Sequence, residues 1–411
     1  MRLPSFPSGS AMTAALDAGT PGLRRDGASW NAYLLLAYFT YVISIQGNII
    51  PYLKTELDLT YTEVGLHPSA VALGFISAGV FGEAVVARFG RSLVMLAAAY
   101  GSAAGMLLLS LAPAAWASVA ACLVIGGFGA FIPATVSAIL SDLHGARRAV
   151  AYAEANALCY LFAIMAPVIT GIAAALNVNW RVGLFAGALA AVVIVRSGRM
   201  VRLPEQPLRV ASDAGIPLPP AYWAYWAMLA FGVALEFSAL LWAPAYFGKV
   251  VGLSPAAAAI AAGVFFAGML LGRTVTIRLV AMFSSRVVFL AACGVVVLGF
   301  LAYWGGVAYA PLAVFGLFVI GLGTAPFYVL CTEFCMQAAG AASARGSARM
   351  VIAPGVAILL NPPLLGAIAD RAGLHAAQVM IPVFVIAALV SFAVAGALQR
   401  GATPSGSASS P

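Results

Sequence analysis

The feature that most constrains this chain is a recurrence: roughly 20 apolar residues in a row, then a short stretch with arginine, proline or glycine, over and over. At about 1.5 Å per residue, such a run crosses the hydrocarbon core of a bilayer as a helix. Inside hydrocarbon every backbone polar group must be satisfied within the structure, which leaves helices or a closed barrel. Barrel strands read as short alternating segments, and these runs do not alternate. The pattern predicts twelve membrane helices over 30–51, 63–86, 92–111, 117–139, 149–176, 181–196, 221–247, 255–277, 287–306, 311–335, 350–369 and 375–398. Only 8% of the 411 residues are charged, against roughly 25% in a soluble domain.

The five cysteines (Cys122, Cys159, Cys293, Cys331, Cys335) lie inside apolar runs, without loop spacing or accompanying histidines. They read as buried thiols, so neither a disulfide framework nor a metal site is expected. No motif calls for a cofactor. The net charge of +8 is carried almost wholly by arginines at helix ends. That distribution fits membrane topology and not a nucleic-acid partner.

If both termini are cytoplasmic, 17 of the 21 basic residues fall in inner loops and tails, and Lys54, Arg181, Lys249 and Arg371 fall outside. The excess of inner positive charge is the expected orientation signal for the cytoplasmic (inner) membrane. A disordered tail over 1–27, a six-helix bundle over 28–196, a cytoplasmic linker over 197–220, a second bundle over 221–398 and a disordered tail over 399–411 follow.

An internal repeat supports the division. Ile125-Gly126 and Ile320-Gly321 lie 195 residues apart, as do Pro167 and Pro362, Gly171 and Gly366, and Arg91 and Arg286. One gapless offset in equivalent segments indicates two related halves.

Twelve helices in a 6+6 arrangement with a basic central linker resemble the major facilitator superfamily, over about residues 30–398. The family carries Gly-x-x-x-Asp-Arg-x-Gly-Arg-Arg after its second helix, and EAVVARFGRS, Glu83–Ser92, occupies that place. Arg88, Gly90 and Arg91 match; Glu83, Ala87 and Ser92 depart from the pattern. A closer spelling, GAIADRAG at Gly366–Gly373, falls at the outer end of the eleventh segment and reads as an echo of the repeat, not as the gate. APVITG, Ala166–Gly171, loosely resembles the Pro-Gly motif of the superfamily's antiporters, and also suits a kink with close helix packing. The resemblance implies an all-α membrane protein of two pseudo-symmetric six-helix bundles that works by alternating access.

At a helix end, Arg88 and Arg91 can cap carbonyls or pair with an acid on a neighbouring helix, Asp142 or Glu154 being the candidates. They also serve as plain topology signals. Glu154 and Arg349, and likewise Glu83 and Arg278, are 195 apart with opposite charge, which suggests bridges between halves at an inner gate.

Polar side chains within the apolar runs should mark a central cavity. The candidates are Tyr38, Gln46, Asn48 and His67 in the first half, and Glu236, Trp242, Arg273, Tyr328 and Glu333 in the second. Glu236, in ALEFSALLW, is the sharpest. A charge at mid-membrane costs at least ~2.5 kcal/mol, so it must be paired, protonated or facing water. At 100° per residue Ser238 and Trp242 lie about 200° and 240° away from it, on other faces.

Three function classes remain. A secondary transporter of a small organic solute, proton-coupled through Glu236 and monomeric in the lipid bilayer, accounts for most features. No phosphate-binding loop of the form Gly-x-x-x-x-Gly-Lys-Ser/Thr is present, so ATP is not the driver. A membrane-embedded enzyme would need an acid and base cluster at a membrane face, for which Asp142 and His144 are the nearest approach. A non-transporting sensor of the same fold would be expected to carry a larger soluble domain.

Overall fold

The computed structural model describes residues 26–197, 216–350 and 352–402. Most of the two tails and of the central linker lies outside them. The helices are α1 (Gly27–Glu56), α2 (Tyr61–Phe89), α3 (Arg91–Ser110), α4 (Ala115–His144), α5 (Arg148–Ala175) and α6 (Val182–Ser197) in the first half. The second half holds α7 (Pro220–Lys249), α8 (Pro255–Met282), α9 (Ser285–Gly305), α10 (Ala310–Ala342), α11 (Ile352–Ala377) and α12 (Met380–Ala402). Among the described residues, eleven spans are long and apolar enough to cross a membrane, and α6 is a shorter apolar helix of 16 residues.

Helix ends follow local chemistry. Asp26 caps α1 by accepting the Ser29 N–H. Thr60 and Glu63 form a reciprocal capping box, so α2 begins two residues before the apolar run does. Gly90, at φ 76°, supplies the sharp corner between α2 and α3 that a β-carbon would strain. The eleventh helix continues beyond the predicted 369 and bends at Gly373, φ 86°.

The repeat extends to backbone detail. α4 is interrupted at Ala130 and α10 at Ala325, 195 residues apart. Each then ends in a single 3₁₀ turn, Gly145–Arg147 and Gly340–Ala342, opened by a glycine with positive φ. Gly126 and Gly321 also play one role. A β-carbon would come within 2.4 Å of the Val71 carbonyl at the first and 2.3 Å of the Phe265 carbonyl at the second. Only glycine lets α4 approach α2, and α10 approach α8, so closely.

The two bundles meet along α2 against α11 and α5 against α8, with α1 and α7 crossing at the centre. Helices α3, α6, α9 and α12 lie outside and carry exposed Leu93, Leu189, Leu298 and Ile386. Such a leucine-rich periphery is what a lipid environment requires.

Candidate functional site

One end of the interface is shut. A β-carbon on Gly65 would lie 2.5 Å from the Pro362 carbonyl, and one on Gly366 would lie 2.3 Å from that of Tyr61. Backbone thus meets backbone between α2 and α11. Asp370 accepts the N–H groups of Tyr61 and Thr62 at 2.7 and 2.9 Å, and the Thr62 hydroxyl at 2.6 Å. The buried ring of Trp242 meets Tyr61 edge-on at 5.8 Å. The sequence reading took the Asp370 motif as an echo; in the structure its carboxylate joins the two halves.

The other end is open. A β-carbon on Gly82 of α2 would meet nothing within 4 Å, and neither Arg349 nor Arg278 reaches a described acid within ion-pair distance. The expected bridges from Glu154 to Arg349 and from Glu83 to Arg278 are therefore not made here. Glu154 accepts instead from the Tyr33 hydroxyl, at 3.3 Å within its own half. Arg349 is exposed, and its carbonyl accepts from Trp226. Arg91 does pair with Asp142, but both belong to the first half, so this pair ties α3 to α4 and does not bridge the gate. Arg88 is exposed, with its guanidinium 5.6 Å from the Phe89 ring.

Between these ends lies a space bordered by both halves. Gln46 on α1, Phe75 on α2, Phe237 on α7 and Ile358 on α11 line part of it. Glu236, near the middle of α7, keeps accessible surface and has neither a hydrogen bond nor an ion pair with a described residue. Arg273 of α8 is within its electrostatic reach. The Arg273 guanidinium lies over the ring of Tyr160 from α5, 5.1 Å from its centroid, and its buried Nε has no acceptor. Such cation–π contact is worth ~0.5–2 kcal/mol, depending on desolvation. Tyr328 is 41% exposed yet within reach of both Arg273 and Glu236, and Tyr152 is 38% exposed and faces Tyr328 across the halves. Their accessible surface therefore belongs to the interior space.

Several predicted cavity residues are elsewhere. Tyr38 is fully buried inside the first bundle, its hydroxyl 3.2 Å from Ser102 on α3. His67 is buried between α2 and α4, with Nε2 2.8 Å from the Ser118 hydroxyl and Nδ1 against the Glu63 and Val64 carbonyls. Glu333 accepts the Ser285 hydroxyl and the Gln337 amide at the start of α9, where the helix dipole favours a carboxylate. Asn48 is buried, donates to the Ser44 carbonyl, and leaves Oδ1 without a partner. Trp242 belongs to the shut end, not to the open space.

The residues not anticipated were Tyr152, Tyr160 and Asn361. Asn361 is buried in α11 and donates to the Ala234 carbonyl at 2.9 Å and the Ser238 hydroxyl at 3.0 Å, two residues either side of Glu236 and on the other face of α7. Its polarity inside an apolar run was the available signal; Tyr152 and Tyr160 carried the same signal as Tyr38 and Tyr328, and nothing in the sequence told which tyrosines point between the halves.

The family profile described as Major Facilitator Superfamily matches residues 32–353. The chain belongs to the major facilitator superfamily. No curated protein sequence matches this transporter. Among solved structures it is similar to a D-xylose–proton symporter, with TM-score 0.75, 16% identity, 91% of this chain covered and 97% of the other. It is also similar to a bacterial homologue of the human lysosomal transporter Spinster, inward-facing and unoccupied, with TM-score 0.70, 15% identity and coverage of 93% and 100%. A peptide transporter in complex with sulfate gives TM-score 0.73, 15% identity and coverage of 95% and 98%. At these identities the likeness is one of fold. It fits the twelve-helix, two-bundle, multi-pass membrane architecture of this transporter.

Proposed function

We propose that this transporter moves a small organic solute across the cytoplasmic membrane by rocking its two halves about the central space, with protons coupled through Glu236. The observation that carries the reading is the state of Glu236: a carboxyl in the middle of a membrane helix, between the halves, accessible and without a bonded partner. An intramembrane acid so placed is costly as a bare charge, and taking up a proton removes that cost. A group that loads a proton when one face is open and releases it when the other is open links proton flow to solute flow. The arrangement of the arginines supports both termini, and the open end described above, on the cytoplasmic side. A single chain encloses the whole space, which supports a monomer as the working unit.

The test is reconstitution in liposomes with a trapped pH dye and a panel of solutes, wild type beside Glu236→Gln. The expected result is that a transported solute moves protons in the wild type and that the variant loses the linked proton flux. Solute movement without proton flux, unchanged in the variant, would leave the acid a structural residue and remove the coupling.

A further inference from the structure

We propose that the solute is an organic monocarboxylate with an apolar body, and that Arg273 is the group that receives its carboxylate. The inference rests on the proton-coupled reading above and deepens it to a substrate class.

The first argument is geometric. Arg273 stands against the central space with its guanidinium laid on the Tyr160 ring and no acid within ion-pair distance among the described residues. Its Nε is buried with no acceptor. A buried donor left without a partner is costly, more so on a charged group, and an arriving oxygen removes that cost. The planar fork of a guanidinium matches a carboxylate in two parallel hydrogen bonds. The Tyr160 ring lies against the guanidinium and its hydroxyl interacts with it, and the Nε donor remains for that contact. The hydroxyl-bearing ring of Tyr328 lies in the same electrostatic neighbourhood.

The second argument is charge balance. Arg273 and Glu236 are a cation and an acid within electrostatic reach of each other here. With nothing bound, their charges cancel. When an anion takes Arg273, the space regains neutrality once Glu236 binds a proton, so one anion and one proton travel together. A cationic solute would add a second positive charge beside Arg273, and a neutral solute would leave Glu236 with no reason to change protonation. In a low-dielectric space these differences dominate.

The third argument is the lining. Phe237 and Leu241, on the same helix as Glu236, border with Val71, Phe75 and Ile358 a small apolar pocket between the halves, with Gln46 as its polar exception. Apolar surface between the halves favours a solute with an apolar body over a polyhydroxylated one.

The test uses purified full-length protein and four probes of equal shape or nearly so: benzoate, benzyl alcohol, benzylamine and the zwitterion phenylalanine. Affinity is read from the ligand-induced shift of thermal unfolding at pH 5.5 and pH 8, in wild type, Arg273→Gln, Arg273→Lys and Glu236→Gln. In wild type, benzoate should bind at least about tenfold more tightly than benzyl alcohol, as a charge-assisted pair predicts, and more tightly at the lower pH. Arg273→Gln should lose that preference and Arg273→Lys should keep part of it. Glu236→Gln should bind benzoate equally at both pH values. Benzoate no tighter than benzyl alcohol in wild type overturns the proposal, as does a full benzoate preference in Arg273→Gln or tighter binding of phenylalanine. If Arg273→Gln is not monodisperse, the wild-type contrast decides alone. Binding of benzoate through Arg273 without pH dependence keeps the anion site and removes the proton coupling; proton flux driven by benzylamine does the reverse.

Discussion

Thr62 gives Asp370 both its backbone N–H, at 2.9 Å, and its hydroxyl, at 2.6 Å, across the boundary between the two halves. With the Tyr61 N–H added, the carboxylate satisfies the first turn of α2 from the opposite bundle. Hydrogen bonds to a charged group are worth ~1.5–3 kcal/mol each. Asp370→Ala is therefore expected to move the equilibrium away from the shut state by on the order of tenfold or more. Labelling of a Gln46→Cys probe by an impermeant thiol reagent from the Lys54 side should accelerate accordingly. An unaltered rate would mean that the backbone contacts hold that end without Asp370.

Gly171 and Gly366 occupy equivalent positions, and the repeat predicts unequal tolerance for them. A β-carbon at Gly366 runs into the Tyr61 carbonyl at 2.3 Å, which is backbone and cannot turn aside. At Gly171 the nearest atom is Ile260 Cγ1 at 2.5 Å, on a side chain that can, with the Ala256 carbonyl at 3.1 Å. Gly366→Ala should cost ~1–3 kcal/mol in the shut state, in the range of overpacking, and Gly171→Ala less. Transport rates of the two variants compare them; equal losses would contradict the geometry.

Asp26 should contribute to stability in a pH-dependent way. Burial works to raise its carboxyl, but hydrogen bonds from Ser29 and the neighbouring His144 outweigh it and hold the group below its usual value of 3.8. The sign follows: a depressed carboxylate stabilises the fold above the unfolded value and loses that contribution as pH falls through the folded one. Asp26→Ala removes the α1 cap and is expected to cost about 1 kcal/mol at pH 7. The gap between its melting temperature and that of the wild type should narrow below about pH 4. A gap that stays constant into acid would assign the effect to packing instead.

Buried Asn361 ties α11 to α7 on the face opposite Glu236. Asn361→Leu removes the amide donor to the Ala234 carbonyl and to the Ser238 oxygen, while the Ser238 hydroxyl keeps its own bond to that carbonyl, so each lost bond costs about 0.5–1.5 kcal/mol. A lower melting temperature with transport per folded molecule retained is the expected pair of results. Lost transport at unchanged stability would instead put Asn361 among the solute contacts.

The fold was readable because membrane helices announce themselves by length, and the halves by a gapless 195-residue offset that survives in Ala130 and Ala325, Gly145 and Gly340. Glu236 was readable because a carboxyl in hydrocarbon demands an explanation. The direction in which each polar side chain points was much less so. A soluble helix shows its inner face by a stripe of apolar residues, whereas α1 and α7 are apolar all round. Tyr38 and Gln46, both on α1, thus looked alike, yet one binds Ser102 within its bundle and the other borders the central space. Asp370 was misjudged for a related reason. Its partners are backbone N–H groups of Tyr61 and Thr62, which no side-chain pattern reveals.

The shut end also governs how readily the protein can leave that state. The Tyr61 carbonyl already receives its hydrogen bond within α2, so parting from Gly366 uncovers no unmet polar group. A glycine has no side chain to withdraw from a pocket. Separation forfeits the dispersion contact along α2 and α11, the Ser69 hydroxyl's bond to the Leu359 carbonyl and the bonds at Asp370. A seam built this way can be dry and tight, yet reopen within a single turnover.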